Sequence, residues 1–343
     1  MPSLRKLAEL AGVNPSTVTR ALRGDRRISA GMRARIQELA EQYHYLPNRL
    51  AQSLMTGTSH TIGLVLPTVV TPYSARLLSG VLHAATAAGY RILIRESFYQ
   101  LAHSLAAIQM FIEQRVDGIL LDCGHLEPIP RKNILELRSQ QVVPVGLDAT
   151  QLEDIIDHVH TDEQGMAMQA VDYLLHLGHQ RIAFVGQTMH GHLVGRGQFV
   201  YRALQRRMLS TRYFFETTET PPYAHLPAGE ILTQLLAMTP PPTALIAWED
   251  PLAALLIKAA IRRGLRIPGD LSILGFGNLA IADLISPTLT TFEQHPEEVG
   301  RQALTVFLAR LQDRENAQPM PAHTLAIPPT LIPRESTGAP GVR

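Results

Sequence analysis

The sequence predicts an all-α helix-turn-helix head joined to an α/β body of two doubly wound parallel-sheet lobes. Three observations predict this fold class. Apolar residues recur at helical spacing in two short segments joined by a glycine, within the first 22 residues. From residue 61 onward, short apolar runs alternate with amphipathic segments, which is typical of parallel sheets covered by helices. A second series of the same kind starts at residue 163, which indicates two lobes.

The head begins with two short helices, Leu4–Ala11 and Pro15–Leu22. Gly12 ends the first helix because a residue without Cβ adopts a left-handed turn at no steric cost. Asn14 suits the N-cap of the second helix, and Pro15 suits its first position. The polar residues that face outward on the second helix are Ser16, Thr17, Thr19 and Arg20.

Two short helices joined by a glycine turn are typical of the helix-turn-helix, whose second helix enters the DNA major groove. Short polar side chains fit near base edges, and a long cation such as Arg20 reaches guanine or phosphate. The alternative is a helical hairpin with a solvated face, because the motif alone does not distinguish the two.

A third helix and a short hinge segment follow. We predict a helix over residues 28–43 with Ser29 as its N-cap. The residues predicted on its inner face are Ile36, Leu39, Ala40 and Tyr43. Pro47 then ends one element, and Asn48 can cap a short helix that reaches Leu54. Such a helix is too short to be stable alone, so we expect it to fold only with DNA and a second copy of the chain.

The body contains two series of predicted strands and helices. The strands of the first series span residues 62–66, 91–94, 118–121 and 142–147, and its helices span 73–88, 101–113 and 134–139. The strands of the second span residues 181–185, 213–216, 244–247 and 271–276, and its helices span 163–177, 196–208, 228–237 and 252–263. A helix over residues 299–311 and a strand over 324–332 complete the body. A ligand would bind between the lobes, outside the carboxyl ends of the strands.

The charge is unevenly distributed along the 343 residues. Residues 1–60 contain nine Arg and Lys against four Asp and Glu, a net charge of +5, whereas the remainder has 22 against 26. A basic head on a mildly acidic body suits a protein that contacts phosphates with one end. The single Cys123 excludes an internal disulfide and fits a reducing cytoplasm. We find no signal-peptide pattern and no run of about 20 apolar residues, so we expect neither export nor a membrane span.

The head resembles the lactose/galactose-repressor family of bacterial transcription regulators. The resemblance is carried by LAELAGVNPSTVTRALRG and YLPNRLAQSL, whose order and spacing match without gaps. The body is similar to the same family, and its lobes resemble periplasmic sugar-binding proteins. The motifs that carry this similarity include TIGLVLPTVVTPYSARLLSGV, HTDEQGMAMQAVDYLLHLGHQRIAFVG and PTALIAWEDPLAALLIKAAIRRGLRIPGDLSILGFG. The resemblance therefore implies a periplasmic-binding-protein-like body.

The family resemblance also implies which residues contact DNA. Base-reading positions are occupied by Pro15, Ser16 and Arg20. Positions for phosphate or neighbouring base contacts are occupied by Ser3, Arg5, Asn14, Thr17, Thr19, Ser29, Tyr45 and Asn48. In the hinge, Ala51 belongs to the same DNA-binding segment, and Leu54 stands where the family wedges a leucine into the minor groove and bends the duplex. The alternative for Leu54 is an ordinary core leucine.

By the same resemblance, a set of residues lines an effector site between the lobes. They are Tyr73, Ser74, Asp122, Asp148, Arg196, Tyr223, Glu249 and Asn278. Arg196 occupies the family's main effector-binding arginine position, and a fixed guanidinium suits oxygen-rich or anionic ligands. The alternative for Arg196 is a surface cation that caps a loop.

Several of the family's usual anchors differ in this chain. Glu249 stands where the family usually has asparagine, and Gly277 where an aspartate commonly binds sugar hydroxyls. Ser74 replaces the second of two aromatic residues, while Thr68 and Thr71 replace an aspartate and an asparagine. These changes alter charge and hydrogen-bond geometry where specificity is decided, so the sequence does not point simply to a neutral sugar.

Other groups of polar residues favour structural roles. Four histidines lie near the end of one predicted helix: His176, His179, His190 and His192. A zinc site needs three or four convergent ligands, whereas the Gly178–His179 pair resembles the family's helix-ending turn, so we favour a structural role for these histidines. Asp162 and Glu163 suit the start of a helix, where acids are favourable. The sequence has neither a P-loop nor a serine nucleophile elbow, so we predict no catalytic residue, metal or cofactor.

The sequence predicts a head (1–46), a hinge helix and linker (47–60), a first lobe (61–160 plus 293–322), a second lobe (161–292 plus 323–335) and a frayed tail (336–343). The expected function is a cytoplasmic, nucleoid-associated homodimeric regulator, most simply a repressor, of near-palindromic operator DNA. Its effector would be a sugar, sugar acid, nucleoside or phosphorylated metabolite. The alternatives are an effector-independent regulator with a degenerate pocket, a solute-binding protein, or an enzyme on the same scaffold.

Overall fold

The computed structural model describes residues 4–22, 24–45, 57–122, 129–148, 152, 154–189, 192–193, 195–217, 226–315 and 321–341. Contacts between Cα atoms divide the chain into two compact units, Met1–His60 and Thr61–Arg343. The predicted hinge helix lies outside the described residues. The candidate site residues that lie outside them are Ser3, Asn48, Ala51, Leu54 and Tyr223.

The head consists of three helices around a small apolar core. The helices are α1 (Leu4–Ala11), α2 (Pro15–Leu22) and α3 (Ala30–Gln42). The core draws on all three of them through Leu7, Ala8, Ala11, Val18, Ala21 and Ile36. The helix-turn-helix predicted from the spacing of apolar residues is therefore present.

The ends of the head helices follow local chemistry. Gly12 ends α1 with a positive φ of 67°, as predicted for a residue without Cβ. The hydroxyl of Ser29 accepts the backbone N–H of Met32 at 3.3 Å and caps α3. Tyr43, predicted on the inner face, is exposed at the C-cap of α3, one residue before the chain turns with a positive φ of 47° at His44.

The first lobe has a six-stranded parallel sheet in the order β12-β5-β4-β3-β1-β2. Its strands are β1 (Thr61–Leu66), β2 (Arg91–Glu96), β3 (Gly118–Asp122), β4 (Val143–Leu147), β5 (Asp157–Thr161) and β12 (Thr324–Ile327). Its helices are α4 (Pro72–Ala87), α5 (Leu101–Glu113), α6 (Arg131–Ser139) and α12 (Pro296–Glu315). Gly80 lets α4 and α12 approach closely, because a Cβ there would lie 2.1 Å from the carbonyl oxygen of Glu297.

The second lobe has a parallel sheet in the order β10-β9-β6-β8, with β7 antiparallel to the end of β6. Its strands are β6 (Ile182–Met189), β7 (His192–Leu193), β8 (Phe214–Thr217), β9 (Ala244–Ala247) and β10 (Ser272–Leu274). Its helices are α7 (Glu163–His176), α8 (Arg196–Arg206), α9 (Ala228–Ala237), α10 (Asp250–Arg262) and α11 (Ala280–Leu284). Beside this sheet, β11 (Thr291–Glu293) and β13 (Thr330–Ile332) form an antiparallel ribbon.

The chain passes between the lobes after β5, after β11 and after β12, and these passages are hydrogen-bonded to one another. The hydroxyl of Thr161 donates to the carbonyl of Gln294 at 3.0 Å, and the N–H of Asp162 donates to the carbonyl of Ile327 at 2.9 Å. The predicted fold class, a helical head and a body of two parallel-sheet lobes, is confirmed. No helix in the described part of the chain is long and apolar enough to cross a bilayer.

The predicted late strand over residues 324–332 is wrong as one element. The structure has two strands there, β12 in the first-lobe sheet and β13 in the second-lobe ribbon. Pro328 and Pro329 separate them, because proline has no N–H to donate to a strand ladder. The last passage between the lobes therefore falls at these prolines and not at residue 322. The short strands β5 and β11 were not predicted, because polar residues interrupt their apolar pattern.

The predicted frayed tail is also wrong over its described part, which extends to Gly341. Ser336 is fully buried, and its hydroxyl donates to the carbonyl of Ile273 at 2.6 Å. The hydroxyls of Thr337 and Tyr173 lie 2.8 Å apart, which ties the tail to α7. The sequence after residue 335 has few apolar residues, so backbone and hydroxyl hydrogen bonds provide the order that apolar burial does not.

Candidate nucleic-acid interface and ligand cleft

The N-terminal end of α2 presents an open polar surface. Asn14, Pro15 and Ser16 are exposed, and Thr17 and Thr19 are half-buried. The hydroxyl of Thr19 donates to the carbonyl of Pro15 at 3.1 Å, so in this state it bonds to its own helix. The backbone geometry leaves the first turn of α2 accessible, which is where a groove-binding helix contacts base edges.

Arg20 lies at the other end of α2 and is bonded to an acidic residue of the following turn. Its Nε donates to Oδ2 of Asp25 at 2.8 Å. Arg27 donates to the same carboxylate, with Nη2 at 2.9 Å from Oδ2. These two guanidinium groups, that of Arg27 first, hold the pKa of the Asp25 carboxyl well below its usual range.

The other described head residues implied to contact DNA are Arg5, Ser29 and Tyr45. Arg5 and Ser29 are exposed, and the hydroxyl of Ser29 is engaged in the α3 cap. Tyr45 is half-buried against the head core, and burial raises its pKa. The head therefore combines exposed polar groups and cations on a small rigid unit, as phosphate and base contacts require.

The ligand cleft begins at Tyr73 and Asp148 in the first lobe. Tyr73 lies in the first turn of α4, and Asp148 directly follows β4 with a positive φ of 50°. The Tyr73 hydroxyl donates to Oδ2 of Asp148, and Oδ1 accepts the backbone N–H of Thr161 at 3.2 Å. Burial raises the pKa of Asp148 to about 6, opposed by the hydrogen bond from Tyr73.

On the second lobe, Arg196 opens α8 and is bonded on all three nitrogens. Its Nη2 and Nε donate to the two carboxylate oxygens of Glu163 at 2.7 and 2.9 Å, and its Nη1 donates to the carbonyl of Trp248. The guanidinium carbon also lies 4.7 Å from the ring centroid of Phe276 and 5.6 Å from that of Trp248. Glu163 accepts a further bond from Gln294 at 3.0 Å. The cation is thus fixed between a carboxylate and two aromatic rings.

Two further carboxylates, those of Asp122 and Glu249, lie within electrostatic range of the first-lobe residue Tyr99. Burial raises the pKa of Tyr99, and the charges of Asp122 and Glu249 raise it further. Asp122 ends β3 and is buried, whereas Glu249 stands at the start of α10 in the other lobe. Glu249 also lies within electrostatic range of Arg196. The structure therefore brings Asp122, Glu249, Asp148 and Arg196 to one cleft.

Two residues implied to bind an effector are engaged elsewhere. Ser74 is buried, and its hydroxyl accepts from Thr71 at 2.9 Å in the cap of α4. The Asn278 side chain donates to Glu293 at 3.1 Å and accepts from Arg334 at 2.9 Å. Both side chains therefore already form hydrogen bonds within the chain.

Sequence reasoning missed Glu163 as the partner of Arg196, and Trp248, Phe276 and Tyr99 as aromatic walls. Trp248 follows β9 directly, and Phe276 lies two residues after β10. Large aromatic residues at the carboxyl ends of parallel strands were an available signal, because ligands bind at that edge. Glu163 gave no separate signal, since an acid at a helix start is common.

Arg76 on α4 links the first lobe to the second, and the sequence did not single it out. Its Nε donates to Glu297 at 2.6 Å within the first lobe. Its Nη2 lies 3.1 Å from Oε1 of Glu293, and its Nη1 donates to the carbonyl of Gly277 at 3.4 Å. The guanidinium therefore contacts both sides of the cleft.

The histidines near the end of α7 fit the structural interpretation where they are described. His179 is fully buried; its Nδ1 lies 3.0 Å from the hydroxyl of Thr243, and its Nε2 lies 2.8 Å from the carbonyl of Gly338. The His176 ring bonds to the carbonyl of Asp172 at 2.7 Å. Within the residues that the structure describes, no group of three or more potential ligands converges on a metal position. His190 and the His192 side chain are outside this description.

A helix-turn-helix head carried by a two-lobed ligand-binding body defines the class of DNA-binding regulators controlled through a cleft. Residues 3–48 match the family described as "Bacterial regulatory proteins, lacI family". Residues 171–337 match the family described as "Periplasmic binding protein-like domain". Both matches agree with the resemblance found in the sequence.

Similar proteins point to the same class. The HTH-type transcriptional repressor CytR of Escherichia coli is 30% identical over 90% of this chain and 90% of its own length. The HTH-type transcriptional repressor PurR of Aliivibrio salmonicida is 28% identical over 92% of this chain and 94% of its own length. The lac repressor dimer bound to operator and the anti-inducer ONPF has the same fold, with a TM-score of 0.82, 21% identity and coverage of 98% and 99%. The chain belongs to the LacI family and is a helix-turn-helix transcriptional regulator.

Proposed function

We propose that this regulator is a homodimeric repressor that binds a near-palindromic operator with its two heads. The observation that carries the proposal is the accessible first turn of α2, in which Pro15 and Ser16 are exposed. Arg20 lies in the last turn of the same helix. A two-fold dimer matches a two-fold site, so each head reads one half. The base-reading roles of Pro15, Ser16 and Arg20, and the phosphate-contact roles of the surrounding head residues, are part of this proposal.

The proposed base contact is tested by removing the Arg20 side chain. Arg20→Ala in the full-length chain should lose about 1–3 kcal/mol of affinity for the operator and little for unrelated duplex. Arg35→Ala is the matched control, because it removes the same charge from an exposed position on α3 outside the proposed interface. An equal loss on both duplexes, or no loss, would contradict base reading by Arg20.

The segment 47–60 is proposed as a hinge that orders on DNA, with Leu54 inserted into the minor groove at the centre of the operator. Its support is the motif YLPNRLAQSL and the family to which the chain belongs. Leu54→Ala should then reduce the DNA bend together with affinity. The bend is measured by energy transfer between dyes on the two ends of the operator. An unaltered bend in Leu54→Ala would contradict the insertion of Leu54 into the minor groove.

The cleft is proposed to bind a small neutral effector that donates hydrogen bonds to its carboxylates. Asp122, Asp148, Glu163 and Glu249 supply four carboxylates there, and Arg196 is already bonded to one of them. Among the described residues, the carboxylates of the cleft outnumber its cations, and Arg196 is already bonded to Glu163. A neutral sugar or a nucleoside therefore fits better than a sugar acid or a phosphorylated metabolite. Binding would shift the balance between open and closed lobes and so the arrangement of the heads.

A thermal-shift series tests the ligand class. A ligand that binds the folded state raises the melting temperature in proportion to the logarithm of its concentration above its Kd. We expect shifts with neutral sugars or nucleosides and none with sugar acids or phosphorylated metabolites. Each shift should be lost in Arg196→Ala. Stabilisation by anions alone would reverse the proposed preference.

A second candidate is a regulator without an effector. It is favoured by Arg196, whose three nitrogens all bond within the chain, and by Asn278, which bridges Glu293 and Arg334. Operator affinity that is indifferent to every ligand class and to Arg196→Ala would support this candidate. For either candidate we propose a location in the cytoplasm and no catalytic activity.

A further inference from the structure

The carboxylate of Asp25 is packed between two arginines just beyond the recognition helix α2. Oδ2 accepts Arg20 Nε at 2.8 Å and Arg27 Nη2 at 2.9 Å, and Oδ1 accepts Arg27 Nε at 3.1 Å. The Asp25 side chain is only 17% exposed, compared with 43% for Arg20 and 79% for Arg27. The acid is therefore the inner member of the group, and the arginines extend from it.

The position of Asp25 is fixed from both sides by the backbone. Its N–H donates to the carbonyl of Arg20 at 3.0 Å, which folds the turn onto the end of α2. Its carbonyl accepts from Nη1 of Arg33 on α3 at 3.2 Å, and the same nitrogen donates to the carbonyl of Ile28 at 3.1 Å. The backbone N–H of Arg27 donates to Oδ1 of Asp25 at 3.0 Å. These bonds hold the Asp25 carboxylate in place, so the position of the Arg20 guanidinium is set by that of the carboxylate.

Bonding through Nε selects one way for Arg20 to approach DNA. An arginine reads guanine with two N–H groups directed at O6 and N7. With Nε held by Asp25, the terminal nitrogens Nη1 and Nη2 remain for that pair of bonds, and within the described residues neither has another hydrogen-bond partner. The orientation of a guanidinium held in this way is set before DNA arrives, which reduces the entropy lost on binding.

Whereas the Asp25 carboxylate favours the specific base contact, its negative charge weakens unspecific binding to DNA. A carboxylate near the interface repels phosphates, and it engages two cations that would otherwise contact them. The same residue therefore improves the geometry of one base contact and weakens attraction to any duplex. Both effects increase the ratio of specific to unspecific affinity.

We propose that Asp25 is a positioning residue that directs Arg20 at a base edge and thereby increases discrimination between operator and unrelated DNA. This inference rests on the proposed function, in which Arg20 reads a base. It predicts that loss of the carboxylate strengthens binding to unrelated duplex while it weakens the preference for one base pair in each half-site. A role confined to folding would lower both affinities together.

The test compares Asp25→Ala and Asp25→Asn with the full-length wild type, on the operator, on operators changed at each half-site position, and on unrelated duplex. Asp25→Ala should reduce the preference at one position about tenfold. It should also bind unrelated duplex more tightly, with a steeper salt dependence by roughly one released ion. Asp25→Asn keeps an acceptor for Nε without the charge, so it should recover most of the base preference but keep the tighter unspecific binding.

Two controls separate this inference from the proposed function. Arg27→Gln leaves the Arg20–Asp25 bond in place and should leave the base preference unchanged. In an Arg20→Ala background, Asp25→Ala should no longer alter the preference at that position. If Arg20→Ala itself leaves every base preference unchanged, the assignment of Arg20 in the proposed function fails. If Arg20→Ala removes a preference that Asp25→Ala retains, or if both Asp25 variants weaken all duplexes equally, the positioning role is overturned.

Discussion

The recognition face of the head and the cleft of the body use their polar groups in opposite ways. On α2, Pro15 and Ser16 are exposed, and the terminal nitrogens of Arg20 have no hydrogen-bond partner among the described residues. In the cleft, Tyr73 bonds to Asp148 and Arg196 bonds to Glu163. A DNA-reading surface can be complete before its partner arrives. A ligand in the cleft must instead exchange with bonds already made, so its affinity is a difference between two sets of hydrogen bonds.

The largest effect is expected from a substitution that unfolds the head and leaves the cleft intact. Ile36 is completely buried in the small core of the head, and truncation of such a residue costs about 2–5 kcal/mol. A domain of this size has little more stability than that, so Ile36→Ala should abolish operator binding. The melting transition of the body, followed by circular dichroism of the full-length chain, should stay unchanged.

Gln37→Ala on the exposed side of the same helix is the control and should leave both properties as they are. A single transition that moves as a whole in Ile36→Ala would show that head and body unfold together, against their separation into two compact units.

A second large effect is expected in the cleft. The Arg196 and Glu163 side chains are 10% and 25% exposed, so Arg196→Ala leaves a largely buried carboxylate without its cation. We expect a loss of about 3 kcal/mol in the free energy of unfolding of the body, measured in urea.

The matched control is Arg207→Ala. Arg207 pairs with Asp172 on the same helix as Glu163, but the two side chains are 31% and 36% exposed. We expect its loss to cost at most about 1 kcal/mol. Equal losses for the two variants would mean that burial does not distinguish the cleft pair from a surface pair.

A pH series gives an intermediate effect. Asp250 is fully buried, and burial raises its pKa from 3.8 to about 6, opposed by hydrogen bonds from Thr291 at 2.6 Å and from the N–H of Leu279 at 2.8 Å. Between these pH values the folded state binds more protons than the unfolded state, so this group makes the protein less stable as pH rises. The slope is at most about 1.4 kcal/mol per pH unit.

Asp250→Asn removes this titration. The free energy of unfolding of the wild type minus that of Asp250→Asn should fall between pH 4 and 6 and stay level above pH 7. Using the difference cancels the other carboxyls, including Asp148. Parallel curves over the whole range would show that Asp250 does not titrate in this window.

The smallest effect is expected at Ser74, which the family resemblance places among the effector residues. Because its hydroxyl is engaged with Thr71 in the cap of α4, Ser74→Ala should change stability by at most about 1 kcal/mol and leave any thermal shift by a ligand unaltered. Loss of the ligand-induced shift in melting temperature would indicate that Ser74 contacts the ligand.

The head was predictable from its sequence because its signals are local. Gly12 and Ser29 lie at the ends of the helices that they define, and the apolar spacing places Ile36 in the core. The cleft was predictable only as a location and as a set of family positions. Its bonds join residues far apart in the chain, such as Tyr73 with Asp148, and no local pattern gives such pairs.

The second lobe shows the same limit. The pairing of Arg196 with Glu163 was not predictable, because each residue has an ordinary local explanation, as a loop cation and as an acid at a helix start. The two prolines that divide β12 from β13 were a local signal and could have prevented the one-strand prediction. The buried hydroxyl of Ser336 was not foreseeable, since its partners Ile273 and Thr290 come from other elements.

The most direct test is a competition measurement on the full-length protein. Duplexes selected from a genomic library at physiological ionic strength would compete with unrelated duplexes of the same length. We expect the selected site to be near-palindromic and to bind roughly 1,000-fold or more tightly than unrelated DNA, and we expect Arg20→Ala to remove much of this ratio. Equal affinity for every duplex would contradict this expectation.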